Sequence, residues 1–371
     1  MRRTPMAQLP QEIKAKLLHE PENRVRGVAA GVDAAGTETS PPPPSHTSVS
    51  ADALGYLHCL RRNTRGHLCS PNLVLQELRT PLSSLPQLPP HLPPSKLAHP
   101  AEPSPHLRPR LLGRIPVPAG GSGGPRGLHC SPDGLLFLTA GADPCVHVLD
   151  LEGSCLCSLH CHVPGAGNFV PEDVAVTAAG LVVVSDLIHG AVHALQHTTR
   201  APQGHWVTVG SFPAPRGLAV DALGCVLVTD YLAGAVHSLT VGPSLEMQTP
   251  TSLMGLQGPC WVGPGPDGGL AVSEEFGDVC LFGSARQPLG RLGALRGHEF
   301  GSPAGVCTNA EGSLIVADEL RCQVTLFPRA GPPISLVCEG LGRPQGVACT
   351  PQGQLVVADS GDGHIKVYQL L

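Results

Sequence analysis

The apolar positions of this chain fall into short runs that Pro and Gly interrupt at regular intervals. Six 17-residue windows align without a gap: 124–140, 170–186, 214–230, 258–274, 302–318 and 343–359. Their starts lie 46, 44, 44, 44 and 41 residues apart. Each has Pro as its second residue, three before an apolar position, as in GPRGL (124–128), APRGL (214–218) and RPQGV (343–347). Each then carries Gly at one fixed offset: Gly134, Gly180, Gly224, Gly268, Gly312 and Gly353. Turns such as SPDG, DALG and TPQG suit a β-turn whose last residue needs φ > 0, which Gly takes without steric cost. The segment after the turn is almost wholly apolar (LVVV, CVLV, SLIV, QLVV), as expected of a strand covered on both faces. A third strand follows each window, for example CVHVLD, AVHSLT and IKVYQL, and a fainter fourth precedes the next Pro. Four strands per repeat and six repeats predict an all-β fold, a six-bladed β-propeller over 111–371. The last repeat stops after its third strand. Residues 111–118, LLGRIPVP, are placed to supply the fourth and close the ring, so that no sheet edge stays open.

Residues 1–110 read otherwise. Pro41 to Pro44 form a run, and 81–109 is dense in Pro, Ser and Leu. Such a segment buries too little apolar surface to offset its ordering entropy, so a Pro-rich disordered segment is expected, with one short helix around Gln11–His19. Composition agrees with the repeat reading. The 371 residues include 45 Gly and 40 Pro, turn chemistry in excess of what long helices tolerate. Charge is divided: 1–110 has 13 Lys and Arg against 8 Asp and Glu, whereas 111–371 has 11 against 21. An acidic propeller is a poor general surface for phosphate. No apolar run of 18 residues, no N-terminal leader pattern and no N-x-Ser/Thr sequon occur, so the 14 Cys are expected as thiols in the cytoplasm, away from membranes.

The windows resemble the NHL repeat, which reads Pro-x-Gly-Val-Ala-Val-Asp, a Gly turn, and an apolar strand ending in Ala-Asp. Windows three, five and six match it best. Ala140 replaces the terminal Asp in window one, Asp173 the Gly of window two, and Trp261 and Glu274 the Gly and Asp of window four. No Trp-Asp pair ends a strand, which sets the WD-type propeller aside. The resemblance implies a non-catalytic protein-interaction scaffold. Relatives of this kind include ubiquitin ligases with a RING ahead of the propeller, which implies a substrate-adaptor role in ubiquitin-dependent degradation. A RING needs about eight Cys and His ligands in paired spacings. Before residue 111 the only Cys are Cys59 and Cys69, and HCLRRNTRGHLC (58–69) lacks a C-x2-C pair.

The remaining candidates are weighed against structural roles. Asp186, Asp230, Glu274, Asp318 and Asp359 recur at one offset and are expected to accept backbone N–H bonds in the turns beside them. His147, His193 and His237 are equivalent but lie on separate blades, too far apart to share an ion. CLCSLHCH (155–162) alternates its Cys and His across a strand, so a metal ligand set does not converge. G-x-S-x-G is absent, and GPGPDGG (263–269) lacks the Lys of a P-loop. Neither a metal nor a cofactor is expected. The loops that enter the first strands and leave the second strands share one propeller face, so we expect a protein partner to meet Arg126, Arg216, Tyr231, Trp261, Phe276 and Arg321 there. RNA binding on the same face, with Arg126, Arg216, Arg321, Trp261 and Tyr231, is disfavoured by the acidic charge and a lone propeller Lys, Lys366. A metal-dependent hydrolase or lyase is disfavoured because the inner strands supply mostly Val, Leu, Ala and Cys.

Overall fold

The computed structural model describes residues 109–118, 123–198, 201–242, 245–246, 248, 250–275 and 277–370. The proposed helix at Gln11–His19 and the Pro-rich segment up to 108 lie outside them. The described residues form six four-stranded antiparallel sheets, each one blade. Blade one runs outward from the axis as Pro125–Cys130, Leu136–Ala140, Cys145–Leu149 and Cys155–His160. Blade two is Val174–Val176, Leu181–Asp186, Ala191–Thr198 and Ala201–Ser211. Blade three is Pro215–Val220, Val226–Asp230, Ala235–Leu239 and Thr251–Met254. Blade four is Pro259–Pro264, Leu270–Glu274, Val279–Phe282 and Pro288–Arg291. Blade five is Pro303–Thr308, Leu314–Asp318, Gln323–Phe327 and Ile334–Val337. Blade six is Pro344–Cys349, Gln354–Asp359, His364–Gln369 and, from the start of the described chain, Arg110–Pro116. That last strand pairs antiparallel with His364–Gln369, setting Arg114 opposite Lys366 and Ile115 opposite Ile365.

The second strands carry the core. All five residues of Leu136–Ala140, Val226–Asp230, Leu270–Glu274 and Leu314–Asp318 are buried, which is why these runs lack a polar alternation. The six apolar clusters of the described residues sit one at each junction between blades. Between blades three and four, for instance, Ala219, Leu227 and Val236 meet Val262, Leu270 and Phe282. The hairpin turns follow the sequence signature, with all six turn glycines between φ 76° and φ 86°.

Inner strands of neighbouring blades pass almost backbone to backbone. A Cβ on Gly217 would lie 2.7 Å from Cα of Trp261, so the Gly of Pro-x-Gly is a spacing requirement here rather than a turn requirement. A single short α-helix among the described residues, Leu292–Arg296, follows the outer strand of blade four and ends at the left-handed Gly297. The CLCSLHCH segment departs from simple alternation. Its strand ends at His160, Cys161 is buried, and His162–Val163 pairs instead with Gly167–Asn168.

Candidate functional site

The residue between Pro and Gly stands at the mouth of the ring on each blade, because Pro holds φ and the strand begins there. In blades one to four these residues are joined. Arg126 forms an ion pair with Glu172 of the next blade. Glu172 also lies 3.6 Å from Nη2 of Arg216, one blade further on. Arg216 donates through Nη1 to Sγ of Cys260 on blade four, at 3.0 Å. Its guanidinium stands 5.6 Å from the ring centroid of Tyr231, a cation–π arrangement. One carboxylate thus bridges two guanidinium groups across three blades. Burial acts against the Arg216 charge, but Cys260, Glu172 and Glu275 hold its pKa above the usual arginine value. Burial pushes the Cys260 thiol up to about 12, with Arg216 opposing, so this sulfur is a hydrogen-bonding group rather than a thiolate nucleophile. On the other side of the mouth, Arg343 Nε donates to Glu319 Oε1 at 2.5 Å.

The expected face residues therefore separate. Arg126, Arg216 and Tyr231 come together around Glu172. Trp261, half-buried, turns away and packs against the cluster of Ala304, Val347 and their neighbours at the junction of blades five and six. Arg321 is exposed and pairs with Glu299 at 3.2 Å within blade five. Phe276 lies outside the described residues. Leu232 and Leu320, on loops that leave second strands, are 50% and 58% exposed and add an apolar component to this face.

Two repeated features below the mouth hold the site in place. Thr139 and Thr229 each accept the N–H of the repeat Gly in their own blade, Gly127 and Gly217, at 2.9 and 2.7 Å. Each then donates to the mouth residue of the next blade, Thr139 to the carbonyl of Glu172 and Thr229 to that of Cys260. Ser185 and Ser273 do the same to the carbonyls of Arg216 and Ala304, at 2.5 and 2.6 Å. Four junctions thus carry a hydroxyl latch that fixes the backbone of Glu172, Arg216, Cys260 and Ala304. In blades five and six the equivalent residues are Ala317 and Ala358. The signal was visible in the sequence, a Ser or Thr just before the recurring acid, inside an otherwise apolar run.

The recurring acids accept backbone N–H groups from the turn that follows and also from the loop that enters their blade. Asp318 binds the N–H of Arg321 and those of Gly301 and Ser302; Asp359 binds those of Gly342, Arg343 and Gly361. The repeated His join these acids, which sequence spacing did not show. His193 Nε2 lies 3.4 Å from Asp186 and its Nδ1 3.1 Å from Thr208. His237 lies 3.6 Å from Asp230 and 2.8 Å from Ser252. His147 joins Asp143 and Ser158, both at 2.9 Å, the acid here being supplied by the next turn because Ala140 ends the strand. Each set lies within one blade and ties its outer strand to its second. In blade six the same register position is Lys366, whose Nζ lies 2.5 Å from Asp359 and 2.6 Å from Asp362. Buried there, this lysine is withheld from any phosphate, and Glu172 already engages Arg126 and Arg216, which weakens an RNA reading of the mouth.

The NHL-repeat family model matches residues 341–368, the sixth blade from its entering loop through its third strand. NHL-repeat-containing protein 4 of Mus musculus is 73% identical over 131 residues, which is 96% of that protein and 35% of this chain. Its counterpart in Homo sapiens is 77% identical over 117 residues, 95% of that protein and 32% of this chain. This chain belongs to the NHL-repeat family. Among solved structures, virginiamycin B lyase from Staphylococcus aureus superposes with a TM-score of 0.50 at 13% identity, over 70% of this chain and 88% of that one. A streptogramin B lyase gives a TM-score of 0.51 at 14% identity, over 70% and 87%. At that identity the likeness is one of fold alone. In this NHL-repeat propeller the two departures at the repeat Gly are Asp173, just before the inner strand of blade two, and Trp261, on the inner strand of blade four. Asp173 accepts the N–H of Leu218 on the next blade at 2.7 Å. Among the described residues no helix is long and apolar enough to cross a membrane.

Proposed function

We propose that the propeller is a non-catalytic interaction module whose ring mouth receives a protein partner. The observation that carries this reading is the Arg126–Glu172–Arg216 bridge with Tyr231 beside Arg216, held by latched backbone, with exposed Leu232 and Leu320 on loops that leave second strands. Fixed guanidinium groups and an aromatic ring beside apolar side chains are what an interface hot spot uses, since little rotamer entropy remains to be lost on binding. The finer reading makes the chain a substrate adaptor in ubiquitin-dependent degradation, working in the cytoplasm. Its support is the resemblance to propellers that follow a RING in ubiquitin ligases.

Affinity purification with mass spectrometry tests both levels. The full chain is compared with a variant carrying Arg126→Ala, Leu232→Ser and Leu320→Ser, matched for thermal unfolding. The expected outcome is at least a tenfold loss of a specific set of proteins, with ligase subunits among them. Selective loss without ligase subunits would remove the adaptor role and leave the scaffold. An unchanged partner set would remove the mouth as the binding face.

A further inference from the structure

We propose that Cys307 and Cys349 form an oxidation site at which a peroxide joins the inner strands of blades five and six by a disulfide. Their sulfurs lie 3.8 Å apart. They belong to Pro303–Thr308 and Pro344–Cys349, strands so close that a Cβ on Gly305 would fall 2.4 Å from the carbonyl oxygen of Gln345. A disulfide bond is about 2.05 Å long, so side-chain rotation has only about 1.8 Å to close. Both side chains are half-buried, which admits a small oxidant and disfavours exchange with bulky protein thiols. Either sulfur of the pair can donate; with Cys307 as donor, the hydrogen bond holds the Cys349 thiol below its usual value and raises that of Cys307. Cys349 is therefore the attacking thiolate.

The Cys349 thiolate attacks one peroxide oxygen, the O–O bond breaks and hydroxide leaves, giving the sulfenic acid of Cys349. The Cys307 sulfur then attacks the Cys349 sulfur, the S–O bond breaks, and water leaves with the Cys307 proton. Two thiols and one hydrogen peroxide become one disulfide and two waters, the two electrons passing from sulfur to oxygen. A second observation gives the bond its purpose. Ala317 leaves this junction without the hydroxyl latch that fastens the four junctions from blade one to blade five. Among the described residues its polar side-chain links include the Glu319–Arg343 pair and Cys322 Sγ, which lies 3.0 Å from the Gly342 carbonyl. Oxidation would add a covalent fastening here.

The test uses the reduced full chain, treated with one equivalent of hydrogen peroxide, alkylated, digested without reductant and mapped by mass spectrometry. We expect a Cys307–Cys349 cross-link to form ahead of all others, and to vanish in Cys307→Ser and in Cys349→Ala. The closed loop should raise Tm by roughly 8 °C in the wild type alone. A Cys130–Cys349 cross-link as the main product, sulfinic acid at Cys349 without a cross-link, or cross-linking no faster than in the guanidinium-unfolded chain would each overturn the proposal.

Discussion

Lys366 and Asp359 make the most demanding side-chain pair in blade six, since both are fully buried. Burial alone would raise the Asp359 pKa, but Lys366 and the N–H groups of Gly342 and Arg343 override it and hold the carboxyl below its usual value. A carboxyl depressed in the folded state contributes stability above its unfolded pKa and loses it as pH falls through the folded one. Replacing Lys366 with Met should cost about 3–5 kcal/mol in urea denaturation at pH 7, because a buried carboxylate is left unpaired. The same variant should unfold at higher pH on acid titration than the wild type.

Asp173 has the opposite sign. Burial raises its pKa to about 7, with the N–H groups of Leu218 and Val174 acting against the rise. Stability from a raised carboxyl is greatest below its unfolded pKa and is lost as pH rises through the folded value. Between pH 4 and 7 the wild type should lose up to about 4 kcal/mol that Asp173→Asn does not lose. Denaturation midpoints that fall equally in both proteins would show that Asp173 is not the titrating group. The sequence marked Asp173 as a departure from Gly. Its consequence was hidden because the partner Leu218 lies 45 residues away and meets it only once the ring has closed.

At the scale of elements, legibility followed burial. Inner and second strands were readable because two-sided burial forces an apolar run and the Gly turn is sterically specified. Outer strands were fainter, since Pro288–Arg291 is wholly exposed and Thr251–Met254 nearly so, and exposed positions impose little periodicity. The mouth was half legible. Its position follows from topology, whereas the choice of Glu172 as the shared partner of two arginines depends on the spacing between blades. The hydroxyl latches were present in the sequence as Ser or Thr within buried strands, yet their acceptors belong to the next blade. Thr229→Val keeps the shape and leaves the Gly217 N–H and the Cys260 carbonyl without this partner. It should cost about 1–3 kcal/mol. Thr229→Ser should recover most of that loss, and a Val variant as stable as the wild type would deny the latch any energetic role.

The molecule as a whole depends on a join made between distant parts of the sequence. Five blades draw all four strands from consecutive chain, while blade six borrows Arg110–Pro116. Without that strand, His364–Gln369 would present an unpaired edge, and Ile115 would leave the cluster it forms with Leu128, Leu149, Val356 and Ile365 between blades six and one. The loss differs in kind from that of an outer strand elsewhere, because among the described residues this is the one strand pairing that joins the start of the propeller to its end, beside the apolar cluster between blades six and one. Ile115→Ala, with the pairing retained, should cost about 2–5 kcal/mol, the range for emptying a buried Ile site. Deleting residues 110–118 should do more, lowering the unfolding temperature by at least about 10 °C or driving the chain into aggregates through the exposed edge. The decisive comparison is with Leu289→Ala on the exposed outer strand of blade four, which should shift the midpoint by less than about 0.5 kcal/mol. If the 110–118 deletion unfolded at the wild-type temperature, the ring would be held by its junction clusters and latches alone, and the borrowed strand would be a cover rather than a closure.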